Sequence, residues 1–420
     1  CLLFIKLIIL YVFYSVTNNI ITMDFDNETL RIAVNLYARN ETEGEEKYGH
    51  INTWNVSGVT DMNHMFVGAN AFNQPLSNWN VSNVTVMMHM FCGAHSFNQP
   101  LNNWNVSNVT NMHDLFCGAH SFNQPLDNWD VSNVIDMVCM FTFAYSFNQP
   151  LDNWDVSNVI DMSGLFIDAR LFNQPLDNWD VGNVTNMHSM FSFAESFNQP
   201  LNKWNVSNVT NMYNMFNFAK SFNQPLNKWN VSNVTKMYSM FGCAKSFNQL
   251  LNKWDVGNVI NMKLMFCNAS SFNQPLDNWN VSNVISMYNM FKYAQSFNQP
   301  LNKWDVSNVM CMYGMFSSAS SFNQPLNHWN VSNVTDMRYM FNSTTIGEML
   351  KKHNLTNKEF FESPTNKKVY HELFVWPRKK DYVTFLVGNQ YLPLNTHQEE
   401  HEYHPLFDNP DMSKYIACYL

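Results

Sequence analysis

Tryptophan recurs at positions 54, 79, 104, 129, 154, 179, 204, 229, 254, 279, 304 and 329, always 25 residues apart and with no insertion. Equal sequence at equal spacing repeats one local structure, so the chain must fold as a row of near-identical units. One unit runs Leu76-Ser77-Asn78-Trp79-Asn80-Val81-Ser82-Asn83-Val84-Thr85, then Val86-Met87-Met88-His89-Met90-Phe91, then Cys92-Gly93-Ala94-His95-Ser96-Phe97-Asn98-Gln99-Pro100. A lone unit cannot hide Trp79, Val81, Val84, Met87, Met90, Phe91 and Phe97 from water. Stacking the units gives those side chains one continuous core.

Two periodicities alternate inside the unit. Trp79 and Val81 are two residues apart, which in a strand puts both on one face and Asn78, Asn80 and Ser82 on the other. From Val84 the spacing changes. Val84, Met87, Met90, Phe91 and Ala94 fall on one face of a helix, with Ser82 or Asn83 as its cap. Pro100 lacks an N–H and disfavours helix at Gln99, releasing the chain into the next strand. The expected fold class is therefore an α/β repeat solenoid: a right-handed, leucine-rich-repeat-like strand–helix superhelix of twelve 25-residue units. Its strands would lie about 4.8 Å apart on one face. The competing architecture is a parallel β-helix with Val84 to Ala94 as strand, which the helical spacing disfavours.

The repeat occupies residues 51–345. Residues 23–50 are expected to form an amino-terminal helical cap, because Leu30 to Ala38 is amphipathic. Residues 346–420 are read as a carboxy-terminal cap, Ile346 to Phe361, followed by a non-repeat tail. In that tail Val369 to Leu392 alternates like a strand and has a turn signal at Val387-Gly388-Asn389. Residues 1–22 open with an apolar run broken only by Lys6, shorter than the ~20 residues of a spanning helix. They are read either as a signal or anchor or as lying ahead of a start at Met23. Location follows that choice: intracellular from Met23, secreted or surface with the segment.

Charged residues are only 14% of the chain and hydrophobic ones 46%, the reverse of a disordered chain's bias. A net charge of −9 argues against a nucleic-acid partner. Eight cysteines in 420 residues do not make a disulfide scaffold.

The pattern Trp-Asp-Val-Ser-Asn-Val-x-x-Met-x-x-Met-Phe-x-x-Ala-x-x-Phe-Asn-Gln-Pro-Leu, as at Trp154 to Leu176 with Leu165 for the second Met, resembles the BspA-like leucine-rich-repeat surface protein family. Similar repeats occur in bacterial surface lipoproteins, in protists and in large DNA viruses. The resemblance covers about 295 of 420 residues. It implies a non-enzymatic repeat protein, in bacteria often adhesive and at the cell surface, with no catalytic residues to carry over. Departures are Leu250 for the proline and Leu115 and Leu165 for the second methionine.

Each column of repeated residues has a bland reading and a functional one. The Trp column is expected to be core rather than a sugar-stacking platform, and the Met column core rather than a soft-metal surface. His89, Cys92 and His95, with His113, Cys117 and His120 one unit on, concentrate zinc-type ligands. The outer histidines fall where a helix should end and neighbouring units lack the cysteine, so no metal site and no cofactor are expected. His397-Gln398-Glu399-Glu400-His401 fits H-x-x-E-H, but Pro393 and Pro405 bracket it, and it reads as a solvated segment. The recurring Asn-Val-Ser and Asn-Val-Thr sequons read as turn sequence. Charge is patterned in blocks: Asp127, Asp152 and Asp177 precede Trp by two residues, Asp130, Asp155 and Asp180 follow it, and Lys203, Lys228 and Lys253 come just before it in the next three units. These nine residues are the expected binding face. The leading function is a non-catalytic protein–protein interaction scaffold with an unknown protein partner. The alternative is a secreted or membrane-anchored adhesin for host glycan or matrix, the membrane being involved only if residues 1–22 are a real anchor.

Overall fold

Each unit folds as a train of tight turns. The computed structural model describes residues 23–362 together with Glu372 and Leu373. Val369 to Leu392 apart from those two, His397 to His401 and residues 1–22 lie outside the described residues.

The helix expected over Val84 to Ala94 is not formed, in this unit or in any other. The inward residues are nevertheless as expected, with Val84, Met87, Met90, Phe91 and Ala94 all fully buried. The backbone between them takes a different route. Met90, Cys92 and Ala94 donate their N–H groups three residues back, to Met87, His89 and Phe91. The alternate N–H groups leave the unit: Met87, His89, Phe91 and Gly93 donate to Asn111, His113, Leu115 and Cys117 of the next one at 2.7–3.1 Å. His89 and Gly93 have φ of 56° and 71°, and the equivalent residues of every unit lie in the same left-handed region. A right-handed helix cannot run through such residues, so a run with helix-like apolar spacing becomes a stack of nested turns.

The strand expected at Trp79 and Val81 is also absent. Those residues point inward and Asn80 outward, as the alternation predicts. However, side chains tie the units together here. The Trp79 indole donates to the Ile51 carbonyl at 2.8 Å, and the pattern continues to Trp329 and Leu301. Asn83 Nδ2 donates to the Ser57 carbonyl at 2.8 Å, so neither it nor Ser82 caps a helix. Besides the inter-unit bonds of the turns, parallel bridging occurs at one residue per unit, in a line from Asp61↔Val86 to Cys311↔Asp336. A third ladder runs through Phe-Asn-Gln-Pro. Asn98 accepts from the Asn123 N–H at 2.9 Å and from Gln124 Nε2, and the rung repeats up the stack.

Neighbouring units are not related by simple translation. Translation would give every column one spacing, yet successive Trp rings lie 6.4 Å apart at Trp204 and Trp229, and successive Tyr rings 5.0 Å apart at Tyr288 and Tyr313. The units fan, closely spaced on the tyrosine side and widely spaced on the tryptophan side.

Both ends of the row are covered. Helix α1, Asn27–Arg39, buries Leu30, Ala33, Val34 and Tyr37; the Tyr37 ring meets Trp54 edge-on at 5.6 Å. Asp26 caps α1 by accepting from Glu28 and Thr29 N–H groups. Helix α2, Glu41–Tyr48, packs on α1, its Glu45 accepting from the Tyr37 hydroxyl at 3.0 Å. At the far end are α3, Thr345–Lys352, and α4, Asn357–Glu362. Phe361 lies parallel to Trp329 at 6.4 Å, close to the spacing of the Trp column it ends. Among the described residues no helix is long and apolar enough to cross a membrane.

Candidate functional site

The turn train sets up one column of special interest. The residue just after the buried Met87 and just before the left-handed His89 lies on the close-spaced side, half-buried in most units and buried at Ser163. In successive units this position holds Asn63, Met88, His113, Val138, Ser163, His188, Tyr213, Tyr238, Lys263, Tyr288, Tyr313 and Arg338. From His188 onward the side chains form an unbroken aromatic and cationic stack. His188 and Tyr213 rings are 4.7 Å apart, and Tyr213 and Tyr238 4.8 Å. Lys263 Nζ sits between two rings, 5.3 Å from the Tyr238 centroid and 4.8 Å from that of Tyr288. Arg338 covers Tyr313 at 5.4 Å. The Tyr residues are half-buried, leaving one side of the stack in solvent.

An apolar strip accompanies the stack. The residue three positions earlier is Thr in most units, but the units of Lys263, Tyr288 and Tyr313 carry Ile260, Ile285 and Met310 there, 45–50% exposed. Ile135 and Ile160 fill the same position lower down. Sequence reasoning missed this strip. The available signal was β-branched apolar residues at a position that other units fill with threonine.

The same turns in the second to fourth units carry titratable groups. Asp114 Oδ2 lies 3.3 Å from His89 Nδ1 and 3.1 Å from His113 Nε2, and His113 Nδ1 lies 3.4 Å from Asp136 Oδ2. Hydrogen bonds to Asp114 and Asp136 raise the His113 pKa to about 10. Hydrogen bonding to Cys117 and to His89 pulls the Cys92 thiol down to about 6 against the effect of its burial. No disulfide joins Cys92 and Cys117. Of the ligands concentrated in the sequence, His89 and His113 are thus brought together with Asp114. His95 and His120 stack instead on each other at 4.2 Å, and His120 on Tyr145 at 4.4 Å.

The charged residues expected to bind lie on the tryptophan side. Asp127, Asp130, Asp155, Asp180, Lys203, Lys228 and Lys253 are exposed, and Asp152 and Asp177 half-buried. Most of the aspartates have local work. Asp130, Asp155 and Asp180 each accept the N–H two residues on, from Ser132, Ser157 and Gly182; Asn205 does the same for Ser207. The Ser157 hydroxyl and N–H hold Asp155 below the usual carboxylate range. Asp127 accepts from Asn102 Nδ2 at 3.0 Å. Asp177 and Lys203 meet at 2.7 Å where the acidic and basic blocks join. Asp and Asn serve this turn equally, so its geometry does not call for the charge. The Trp column is buried, each indole about 3% exposed, and offers no stacking platform to a sugar.

A family profile described as Mycoplasma protein of unknown function, DUF285, matches residues 35–154, 139–254 and 244–353. The matches overlap in tandem, each covering between four and five of the 25-residue units. None of the curated proteins compared with the chain matches it.

Proposed function

This chain belongs to the family described as Mycoplasma protein of unknown function, DUF285, and on that premise we propose that it is a non-catalytic protein-interaction scaffold. We read the row of stacked units as a solenoid of the leucine-rich-repeat kind, related to BspA-like surface proteins. The 25-residue period supports this, falling in the 20–29 range of such repeats. The partner docks on the stack from His188 to Arg338 and on the strip of Ile260, Ile285 and Met310 beside it.

The observation that carries this reading is the continuity of the stack over seven successive units. The turns do not require it, because five other units place Asn, Met, His, Val and Ser at the same position. Tyrosine and arginine concentrate where interfaces draw their binding energy. Rings already held by their neighbours lose little freedom when a partner arrives. Cations over the rings and exposed isoleucines beside them fit a protein surface that mixes carboxylates with apolar side chains.

The test uses the full chain, immobilised and exposed to extract of its native cells. A Tyr213→Ser, Tyr238→Ser, Tyr288→Ser, Tyr313→Ser variant should lose a partner that the wild type captures, by at least tenfold. Asp130→Asn, Asp155→Asn, Asp180→Asn should keep it. The reverse result moves the contact to the tryptophan side. Melting curves of both variants separate loss of binding from loss of fold.

A further inference from the structure

Away from the aromatic stack, the second and third units bring together three side chains of the kind that bind metals. One ligand atom from each of His89, His113 and Asp114 lies within 4.8 Å of the others. Asp114 Oδ2 is 3.3 Å from one imidazole nitrogen and 3.1 Å from the other. The edge of a tetrahedron around zinc, with bonds of about 2.0–2.1 Å, is roughly 3.3–3.4 Å. Each imidazole nitrogen therefore already stands about one such edge from the carboxylate oxygen.

The backbone fixes this arrangement. His89 and Asp114 occupy the same left-handed position in successive units, with φ of 56° and 54°. The His89 N–H donates to the His113 carbonyl at 2.8 Å, which locks the two units in register at the site. A second observation is independent of the ligand triplet. His113 turns Nε2 toward Asp114 and Nδ1 toward Asp136, 3.4 Å away. The Val138 N–H in turn holds Asp136 at 3.0 Å. A carboxylate on the far nitrogen is how metal-bound histidines are usually oriented, since it sets the tautomer and raises the ring's basicity. The Asp114 side chain is 11% exposed, while those of His89 and His113 are 26% and 31% exposed, so the floor of the site is closed and its mouth open.

We propose that His89, His113 and Asp114 bind a divalent transition-metal ion of the zinc class, with Asp136 as the residue that positions His113. Two imidazoles and one carboxylate suit zinc better than the harder calcium or magnesium, which prefer all-oxygen shells. The ion takes the place of the proton in the hydrogen bond between His113 Nε2 and Asp114, and that proton is released on binding. At least one coordination position faces solvent. The ion clips the second unit to the third, near the amino-terminal end of the row.

The experiment titrates zinc ion into the metal-stripped full chain, followed by calorimetry and by elemental analysis after gel filtration. One zinc per chain with micromolar or tighter affinity is expected, and zinc should raise the melting temperature. Asp114→Asn, which keeps shape and hydrogen bonding, should weaken binding at least a hundredfold, and His113→Gln similarly. Asp136→Asn should weaken it by about ten- to a hundredfold, the usual cost of losing such an orienting partner. His95→Gln with His120→Gln should change nothing. The proposal fails if no stoichiometric zinc is retained, if Asp114→Asn binds like the wild type, or if the His95 and His120 variant loses the ion. Should His113→Gln misfold, Asp114→Asn with a wild-type melting point in chelator decides the matter.

Discussion

Asn198 receives the unit that follows it. Its side-chain oxygen accepts from the Asn223 N–H at 2.9 Å and from Gln224 Nε2 at 3.2 Å, and its carbonyl accepts from Gln224 Nε2 at 3.0 Å. The equivalent Asn323 is the last of its column. No Phe-Asn-Gln-Pro follows it, and its side-chain oxygen is buried with no partner among the described residues. One residue type in one local setting thus has two different energetic roles. Asn198→Ala should destabilise the protein by about 1–3 kcal/mol, because it strips an acceptor from a half-buried N–H. Asn323→Ala should change stability by no more than about 0.5 kcal/mol, or raise it, because it removes a buried oxygen that gains nothing there. Urea unfolding of the two variants checks the contrast, and equal losses would mean that the ladder contributes nothing measurable. The same reasoning explains why Asp and Asn alternate after tryptophan: both place an oxygen two residues before an N–H that needs one.

At the level of elements, the carboxy-terminal cap is fitted tightly to the last unit. Thr344 starts α3 by accepting from the Gly347 N–H at 3.1 Å and donating to the Phe341 carbonyl at 2.7 Å. A Cβ on Gly347 would collide with that carbonyl oxygen. Glycine to alanine inside a helix ordinarily stabilises by up to about 1 kcal/mol. Here Gly347→Ala should destabilise by about 1–3 kcal/mol through overpacking, with faster hydrogen exchange in α3 and the last unit; the sign of the change is the test. Much of the architecture was legible in the sequence. The period, the inward column of Trp79, Val81, Met87 and Phe91 and the amphipathic stretch of α1 all follow from spacing. The backbone of the turn train was not. Left-handed conformation is recognised by glycine, and Gly93 and Gly118 do supply it. However, Phe193, Cys243 and Leu264 hold the same conformation with side chains that ordinarily avoid it. What holds them there is hydrogen bonding to the next unit, which local spacing does not report. The tyrosine column could be read as a row of surface residues, since Tyr213, Tyr238, Tyr288 and Tyr313 share one position. The period likewise sets Asp114 one unit above His89 in the same column; what spacing does not report is the left-handed turn that aims both side chains, with that of His113, at one point.

Among the described residues of the row, each hydrogen bond between units reaches one unit forward or back. Stability in such a row is a sum of unit terms and neighbour terms. Met212 is fully buried near its middle. Met212→Asp should bury an uncompensated charge at a cost of several kcal/mol, and the row should melt in two steps, one on each side of the break. Calorimetry showing one unchanged transition would invert the inside–outside assignment. The nearest-neighbour wiring also has a consequence for how such a gene can vary. The loss of a single residue throws every column above it out of alignment. The loss or gain of 25 residues leaves each column aligned and each cap seated on a familiar partner. That change is a whole number of codons, and the near-identical stretches on either side are natural substrates for recombination. Reach can therefore be inherited as a copy number, lengthened or shortened a step at a time without inventing new sequence.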